Sequence, residues 1–526
     1  MPNILLVTKG TAGDLFPFLR MGKDLKQRGN EVTLFSHWFL EEEAKRAGLN
    51  YVALDAPEDF PSYEEQIAKK AQHKDALVAG GAALFANYSE LSAAREIAEK
   101  PGAPMVSAFG VSVPRAIAES RIIGRHCAAA NTVVVSSYTA FIPAQTASEK
   151  MGVPLVSLFP SPDLMPVWIM DLPFFEELYK YVGADINRVR AEVGLAPVGD
   201  WRAWLVSAGR HVGAWPEWLI APDPNSPLKV EPVGFFWDER VLRGEIPPEV
   251  EGMLDGSRPA VLVCHGTSMP SKPEFMQMSA DACRLLGLRG ILVTKYRELV
   301  PRELPEEVKW VAYLPFGKVM PKVAAVIHHG GFNTAAQALA AGVPQLVAGL
   351  GHDRTQNAAR VEALGVGESL PPTQWNSEAV AGSLRRLIDS PAIKRHSKEL
   401  ADRFKQDVFG GRAYDVFEEV ASGKGYEKPF DQPTQHKQSV AQHAGARRAT
   451  PETISMLVGN LTPDKRALLK ARLEQRLGVK LAGRTNDKDA SAIDQLPMLA
   501  NESKPDRSNN GRAASFTFPV KQKREL

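Results

Sequence analysis

Short uninterrupted apolar runs alternate with stretches of helical period along most of the chain. Ile4–Val7 is a run of the kind found in a buried parallel strand. A Gly-rich segment, Lys9–Asp14, follows. Leu15, Phe18, Leu19, Gly22 and Leu25 then recur at helical spacing, Gly29 stands where a helix C-cap belongs, and Val32–Phe35 is the next strand. This is one βαβ unit. Thr132–Val135 and Pro154–Leu158 repeat the strand pattern, which restarts at Val261–Cys264 and continues at Gly290–Val293, Ala325–Ile327 and Gln345–Ala348. Gly152-Val153-Pro154 and Gly342-Val343-Pro344 each end a helix and enter a strand. Between the halves, Pro222–Pro227 and Pro232–Gly234 are turn-rich and aperiodic. The pattern predicts an α/β protein of two doubly wound, Rossmann-like parallel-sheet domains across a cleft, at residues 1–222 and 246–422, joined by a linker at 223–245.

The composition changes after Gly423. Gln, His, Lys, Ser, Asn and Pro dominate, so residues 423–526 are expected to form a largely disordered tail. One island interrupts it: Thr462-Pro463 reads as a helix start, Leu468, Leu469, Leu473 and Leu477 form an apolar stripe, and Gly478 ends it. A short amphipathic helix near 462–478 on a tether calls for a partner.

Across all 526 residues the formal charge is +2, which gives no reason to expect a nucleic acid or an anionic membrane as partner. Three scattered cysteines, Cys127, Cys264 and Cys283, suit neither a disulfide framework nor a zinc site and read as small core residues. The first apolar run is too short for a signal peptide, and no stretch approaches a membrane span. The expected setting is cytoplasmic.

The most informative stretch runs from Tyr313 to Asp353. A strand ends at Ile327, His328 and His329 follow, then Gly330-Gly331, then a helix starting near Asn333-Thr334. Helix N–H groups and a histidine thereby meet at the carboxyl edge of a parallel sheet, which suits a nucleotide diphosphate. Gly330 and Gly331 allow close approach of backbone to phosphate, and Thr334 adds a hydroxyl. His329 is the histidine expected to face the phosphates, with His328 packed beneath the loop. His37, His126, His211 and His265 lack a supporting pattern and read as structural.

This stretch resembles the donor-binding signature of GT-B glycosyltransferases. It is most similar to that of bacterial rhamnosyltransferases of the RhlB-like type and their sterol-glucosylating relatives. Gly10–Leu19, GTAGDLFPFL, is independently similar to their acceptor-side loop, with Gly10, Thr11 and Gly13 at its turn. The resemblance covers about residues 1–420 and implies a GT-B fold and an enzyme. It gives Tyr313 the place of the aromatic residue that stacks on the base, His329 the diphosphate contact with Gly330, Gly331, Asn333 and Thr334 beside it, and Gln337 the ribose. Gly266, Thr267 and Ser268 resemble the second phosphate-facing loop. Asp353 matches the acidic member of an Asp-Gln pair that grips sugar hydroxyls, but Arg354 replaces the glutamine, and its donor-only fork leaves the donor sugar open. Asp14, three residues before Pro17, stands where relatives place the base, although as a residue type it equally suits a helix cap.

The resemblance therefore implies inverting, metal-independent transfer of a hexosyl, deoxyhexosyl or pentosyl group. The donor is a dTDP- or UDP-linked nucleotide sugar, and no further cofactor is implied. The acceptor is a hydroxyl of a small hydrophobic, lipid or lipopeptide natural product. The aromatic residues of the first half, among them Phe16, Phe18, Trp38, Phe39, Phe60 and Phe85, agree with an apolar acceptor and equally with core packing. The alternatives are a non-catalytic nucleotide-sugar-binding homologue that activates a partner enzyme, and a GT-B sugar epimerase. Leu461–Leu473 resembles helical segments around condensation domains of nonribosomal peptide synthetases, so a peptide or polyketide synthase is the partner implied for the tail.

Overall fold

Asn3–Val7 is the strand from which the first sheet is built. The computed structural model describes residues 1–10, 12–58, 113–127, 130–162, 175–221, 228–236, 244–266, 274–349, 353–407 and 411–424. The tail, with its predicted helix near 462–478, lies outside the described residues, as do Thr11, Thr267 and Ser268.

The first half runs β1 (Asn3–Val7), α1 (Ala12–Gln27), β2 (Glu31–Ser36), α2 (Glu41–Arg46), β3 (Asn50–Ala53), α3 (Val113–Arg125), β4 (Thr132–Ser137), α4 (Phe141–Met151), β5 (Leu155–Phe159), α5 (Phe175–Glu192), α6 (Trp201–Leu205), β6 (Arg210–Gly213) and β7 (Val230–Pro232). These strands form one parallel sheet in the order β3-β2-β1-β4-β5-β6-β7. The order reverses between β1 and β4, the switch point at which doubly wound sheets open a crevice. Alternation along β1 sends Leu5 and Val7 into the core on one face and Ile4 and Leu6 into the core on the other.

The second half runs α7 (Pro248–Glu251), β8 (Ala260–Cys264), α8 (Glu274–Leu285), β9 (Arg289–Val293), β10 (Val308–Val311), α9 (Phe316–Val319), β11 (Ala325–His328), α10 (Phe332–Ala341), β12 (Gln345–Val347), α11 (Asp353–Ala363), β13 (Gly367–Ser369), α12 (Ser377–Asp389), α13 (Pro391–Gln406) and α14 (Gly411–Ala421). Its sheet is also parallel, in the order β10-β9-β8-β11-β12-β13. The echo between halves has a backbone cause. Gly152 and Gly342 adopt left-handed φ of 67° and 68°, and the next N–H, of Val153 or Val343, closes back onto Ser148 or Ala338.

The second half is tied to the first at both ends. Phe235 stacks on Phe404 of α13 with centroids 4.3 Å apart, and the Trp218 indole N–H donates to Asp407. α14 then buries Ala413, Tyr414, Val416, Phe417 and Val420 against the β1 side of the first sheet. Tyr414 donates to Asp24 of α1 at 2.6 Å, and Arg28 bridges Asp415 and Glu418. β7 lies inside the segment 223–245 that the sequence pattern assigns to a linker, so the first sheet extends into that segment. Aperiodic turn residues around a three-residue edge strand hide it from pattern reading.

Candidate functional site

The parallel pairing of β8 with β11 puts Cys264 opposite His328, so the residues that follow, His265 and His329, leave the sheet side by side. Their rings stack with centroids 6.1 Å apart and planes 22° from parallel. His265 is a residue the sequence pattern passed over, because it follows an apolar strand with no glycine pair or second histidine beside it to mark it.

His328 is locked beneath them. Its Nδ1 accepts the Gly330 N–H at 3.1 Å, so its Nε2–H donates to Gln345 Oε1 at 2.9 Å. Full burial pushes its pKa down to about 4. It is a neutral strut, as expected from the sequence.

His329 is 5 % exposed, and its Nδ1 is a buried atom with no hydrogen-bond partner. Burial pushes its pKa well below the ordinary value, and the Arg354 guanidinium and the His265 and His328 rings act in the same direction. Two glycines flank the ring. A Cβ at Gly266 would lie 2.4 Å from His329 Cε1, and one at Gly331 would lie 2.6 Å from Nε2, so neither position admits a side chain without moving the imidazole. Gly330 has φ of 101° and passes within a Cβ's reach of the Arg354 carbonyl oxygen. Asn357 of α11, which sequence reasoning also missed, donates from Nδ2 to the Gly330 carbonyl at 2.9 Å. It sits one helical turn beyond Arg354, where helical spacing is the sole signal.

α10 starts at this point with Gly331 as its N-cap and no side-chain cap. Its dipole and first N–H groups are directed to the carboxyl edge of the second sheet, the arrangement that holds an anion. Gln337, one turn in from Asn333, keeps a buried Oε1 without a hydrogen bond. Arg354 is half-buried rather than solvated, and its charge also acts on His265, whose burial takes it down to about 4. Tyr313 follows β10 and is 64 % exposed, an open aromatic face on the strand edge. Asp353 opens α11; its side chain lies outside what is described, as do Thr267 and Ser268.

On the first sheet, α1 begins at Ala12, so Asp14 stands in its first turn and not in a loop. The Gly-rich segment is shorter than its composition suggests, because the helix tolerates Gly13 and carries Pro17 within it. Asp14 is therefore no N-cap. Its carboxylate lies against Gly10 at φ 115°, where a Cβ would meet Oδ2 at 2.4 Å. Gly13 sits in the same turn, and Thr11 is outside the described residues.

Two parallel sheets, one with an anion cradle at its carboxyl edge and one with a carboxylate at its own, define a nucleotide-binding protein of two Rossmann-like domains. Residues 4–149 match the glycosyltransferase family 28 N-terminal domain, and residues 290–407 match the C-terminal domain of erythromycin biosynthesis protein CIII-like proteins. The chain is 28 % identical over 411 residues to the O-mycaminosyltylonolide 6-deoxyallosyltransferase of Streptomyces fradiae, covering 76 % of this chain and 93 % of that one. It is 26 % identical to the vancomycin aglycone glucosyltransferase of Amycolatopsis orientalis, covering 73 % and 94 %. Its fold is that of the spinosyn rhamnosyltransferase SpnG complexed with thymidine diphosphate, with a TM-score of 0.57 at 18 % identity over 79 % of this chain and all of that one. The protein belongs to the GT-B glycosyltransferases. Among the described residues no helix is long and apolar enough to cross a membrane.

Proposed function

We propose that the protein transfers a sugar, with inversion and without a metal ion, from a thymidine- or uridine-diphosphate sugar to a hydroxyl of a natural-product aglycone. The observation that carries this reading is the cradle around His329, a buried imidazole with an unpartnered nitrogen at an uncapped helix start, bounded by Gly266 and Gly331. Such a site stabilises a leaving diphosphate through preorganised donors. Gln337, with a buried acceptor oxygen, suits a ribose hydroxyl, and the exposed Tyr313 ring suits the base. Asp353 and Arg354 hold the sugar in this reading.

Asp14 is the proposed base. As the acceptor oxygen bonds to the anomeric carbon, the bond from that carbon to the diphosphate oxygen breaks and the hydroxyl proton passes to the Asp14 carboxylate. A carboxylate with a reference pKa near 4 suffices because the hydroxyl turns acidic as it bonds to an oxocarbenium-like carbon. The relatives' names, a tylonolide deoxyallosyltransferase and a vancomycin aglycone glucosyltransferase, support a polyketide or peptide aglycone as acceptor.

Mass spectrometry of the full chain incubated with dTDP- and UDP-linked sugars tests the donor side. Release of the nucleoside diphosphate from a dTDP- or UDP-sugar is the expected result. Neither hydrolysis nor protection against thermal unfolding by any of them would overturn the reading.

A further inference from the structure

Four consecutive strands of the first sheet send side chains from their carboxyl ends into one buried charge network. Lys9 follows β1, His37 follows β2, Asp55 follows β3, Thr139 follows β4, and Arg115 and Glu119 come from α3. Lys9 Nζ donates to Glu119 Oε2 at 2.7 Å, with the two side chains 7 % and 1 % exposed. Arg115 Nη2 reaches Asp55 Oδ2 at 2.6 Å and Glu119 Oε1 at 3.2 Å. His37 Nδ1–H donates to Asp55 Oδ2 at 2.6 Å, and the Trp38 N–H donates to Oδ1 at 2.9 Å. Burial alone would raise the Asp55 carboxyl; the His37 and Trp38 hydrogen bonds and the Arg115 charge hold it below the ordinary range instead.

An interior this charged is an expensive way to hold two helices and a sheet together, since well-packed apolar residues are often as stabilising or more so. What the network grips is specific. The Lys9 backbone is held from both sides by one hydroxyl: its N–H donates to Thr139 Oγ1 at 3.2 Å and its carbonyl accepts from the same Oγ1 at 2.7 Å. Its side chain is held by Glu119. The next residue is Gly10, against which the Asp14 carboxylate lies.

We propose that Lys9, Glu119, Arg115, Asp55 and His37 form a positioning network that fixes the Lys9–Gly10 backbone and, through it, the direction of the Asp14 carboxylate. The proposal rests on the reading of Asp14 as the base. None of the five is a catalytic residue: they act through the backbone that Asp14 leans on.

Two variants of the full chain test it, with dTDP-glucose hydrolysis and amide hydrogen exchange as readouts. Glu119→Gln leaves Lys9 without its counter-charge. The double variant Lys9→Met with Glu119→Met replaces the pair by apolar groups of similar size and is expected to keep a thermal midpoint near that of the wild type. In both, kcat for hydrolysis should fall about tenfold while KM for dTDP-glucose stays within about twofold. Exchange in the peptide spanning residues 8–16 should rise about tenfold. A network that merely stabilises the fold predicts a lower midpoint for Glu119→Gln and recovery of every readout in the double variant. Wild-type kcat and wild-type exchange in the folded double variant would overturn the proposal. Failure of the base reading looks different, namely an Asp14→Asn enzyme that still turns over, and the exchange readout does not depend on it.

Discussion

The imidazole of His265 lies face to face with that of His329, 6.1 Å between centroids, with the Arg354 charge acting on both. Burial and Arg354 keep the two rings neutral near pH 7 when no anion is present. An arriving diphosphate supplies the missing counter-charge and raises the pKa values, so binding takes up protons. Between the low free-state pKa and the raised bound-state pKa, nucleotide affinity falls as pH rises; above the bound-state pKa it is flat. Titration calorimetry of dTDP in buffers of different ionisation enthalpy reads this directly. A buffer-dependent heat is expected, and it should shrink in His329→Ala, whose turnover drops about 10²–10³-fold. A heat independent of buffer in the wild-type protein would contradict the stacked pair's part in binding.

Arg354 concerns the donor rather than the fold. Its backbone lies against Gly330 and its guanidinium acts on the histidines, so Arg354→Gln should leave the thermal midpoint nearly unchanged. The ratio of kcat/KM between two nucleotide sugars that differ only in the sugar should shift by about tenfold or more, the scale of one charged hydrogen bond gained or lost. An unchanged ratio would place the guanidinium outside the sugar's reach.

Acid stability follows from the buried histidines. His211, His265 and His328 are pushed down from 6.5 to about 4 by burial. The unfolded protein takes up these protons more readily than the folded one. Their contribution is therefore complete above the unfolded value of 6.5 and is lost as pH falls from there towards 4. Each histidine gives a slope of about 1.4 kcal/mol per pH unit in that window. Denaturant unfolding between pH 7 and pH 4 should show a fall several times that of a single histidine, and a flat profile would show the three imidazoles to be solvated.

The central strands were legible because burial on both faces demands apolar residues without interruption, as in Val261–Cys264. The edge strands β3, β7, β10 and β13, and β6 beside an edge, were not, since they are short and mix polar residues such as Glu231, Lys309 and Glu368 into the run. The phosphate cradle was legible at Gly330-Gly331 because the spacing itself carries the chemistry. His265, Asn357 and the Lys9–Glu119–Arg115–Asp55–His37 network were not. They come together through strand register and through α3, 110 residues from Lys9 to Glu119, and no local pattern records that distance.

α14 makes the position of a truncation decisive. Its apolar face completes the core beneath β1, although it follows the second sheet in the sequence. A protein ending at Tyr426 should fold and hydrolyse dTDP-glucose at close to the full rate. One ending at Asp407 strips Val416, Phe417 and Val420 from the first sheet, a loss of about 1.5–3 kcal/mol for each large side chain, and should not accumulate as folded protein. Equal thermal midpoints for the two would mean that α14 contributes little to the first domain.

Asp14→Asn tests the central claim most directly, because it keeps the shape of the first turn of α1 and removes only the charge that accepts the proton. With donor affinity and turnover measured on one preparation, the account predicts dTDP affinity near that of the wild type and transfer below about a tenth of the wild-type rate. Transfer above that level, with affinity unchanged, would contradict it and place the base elsewhere.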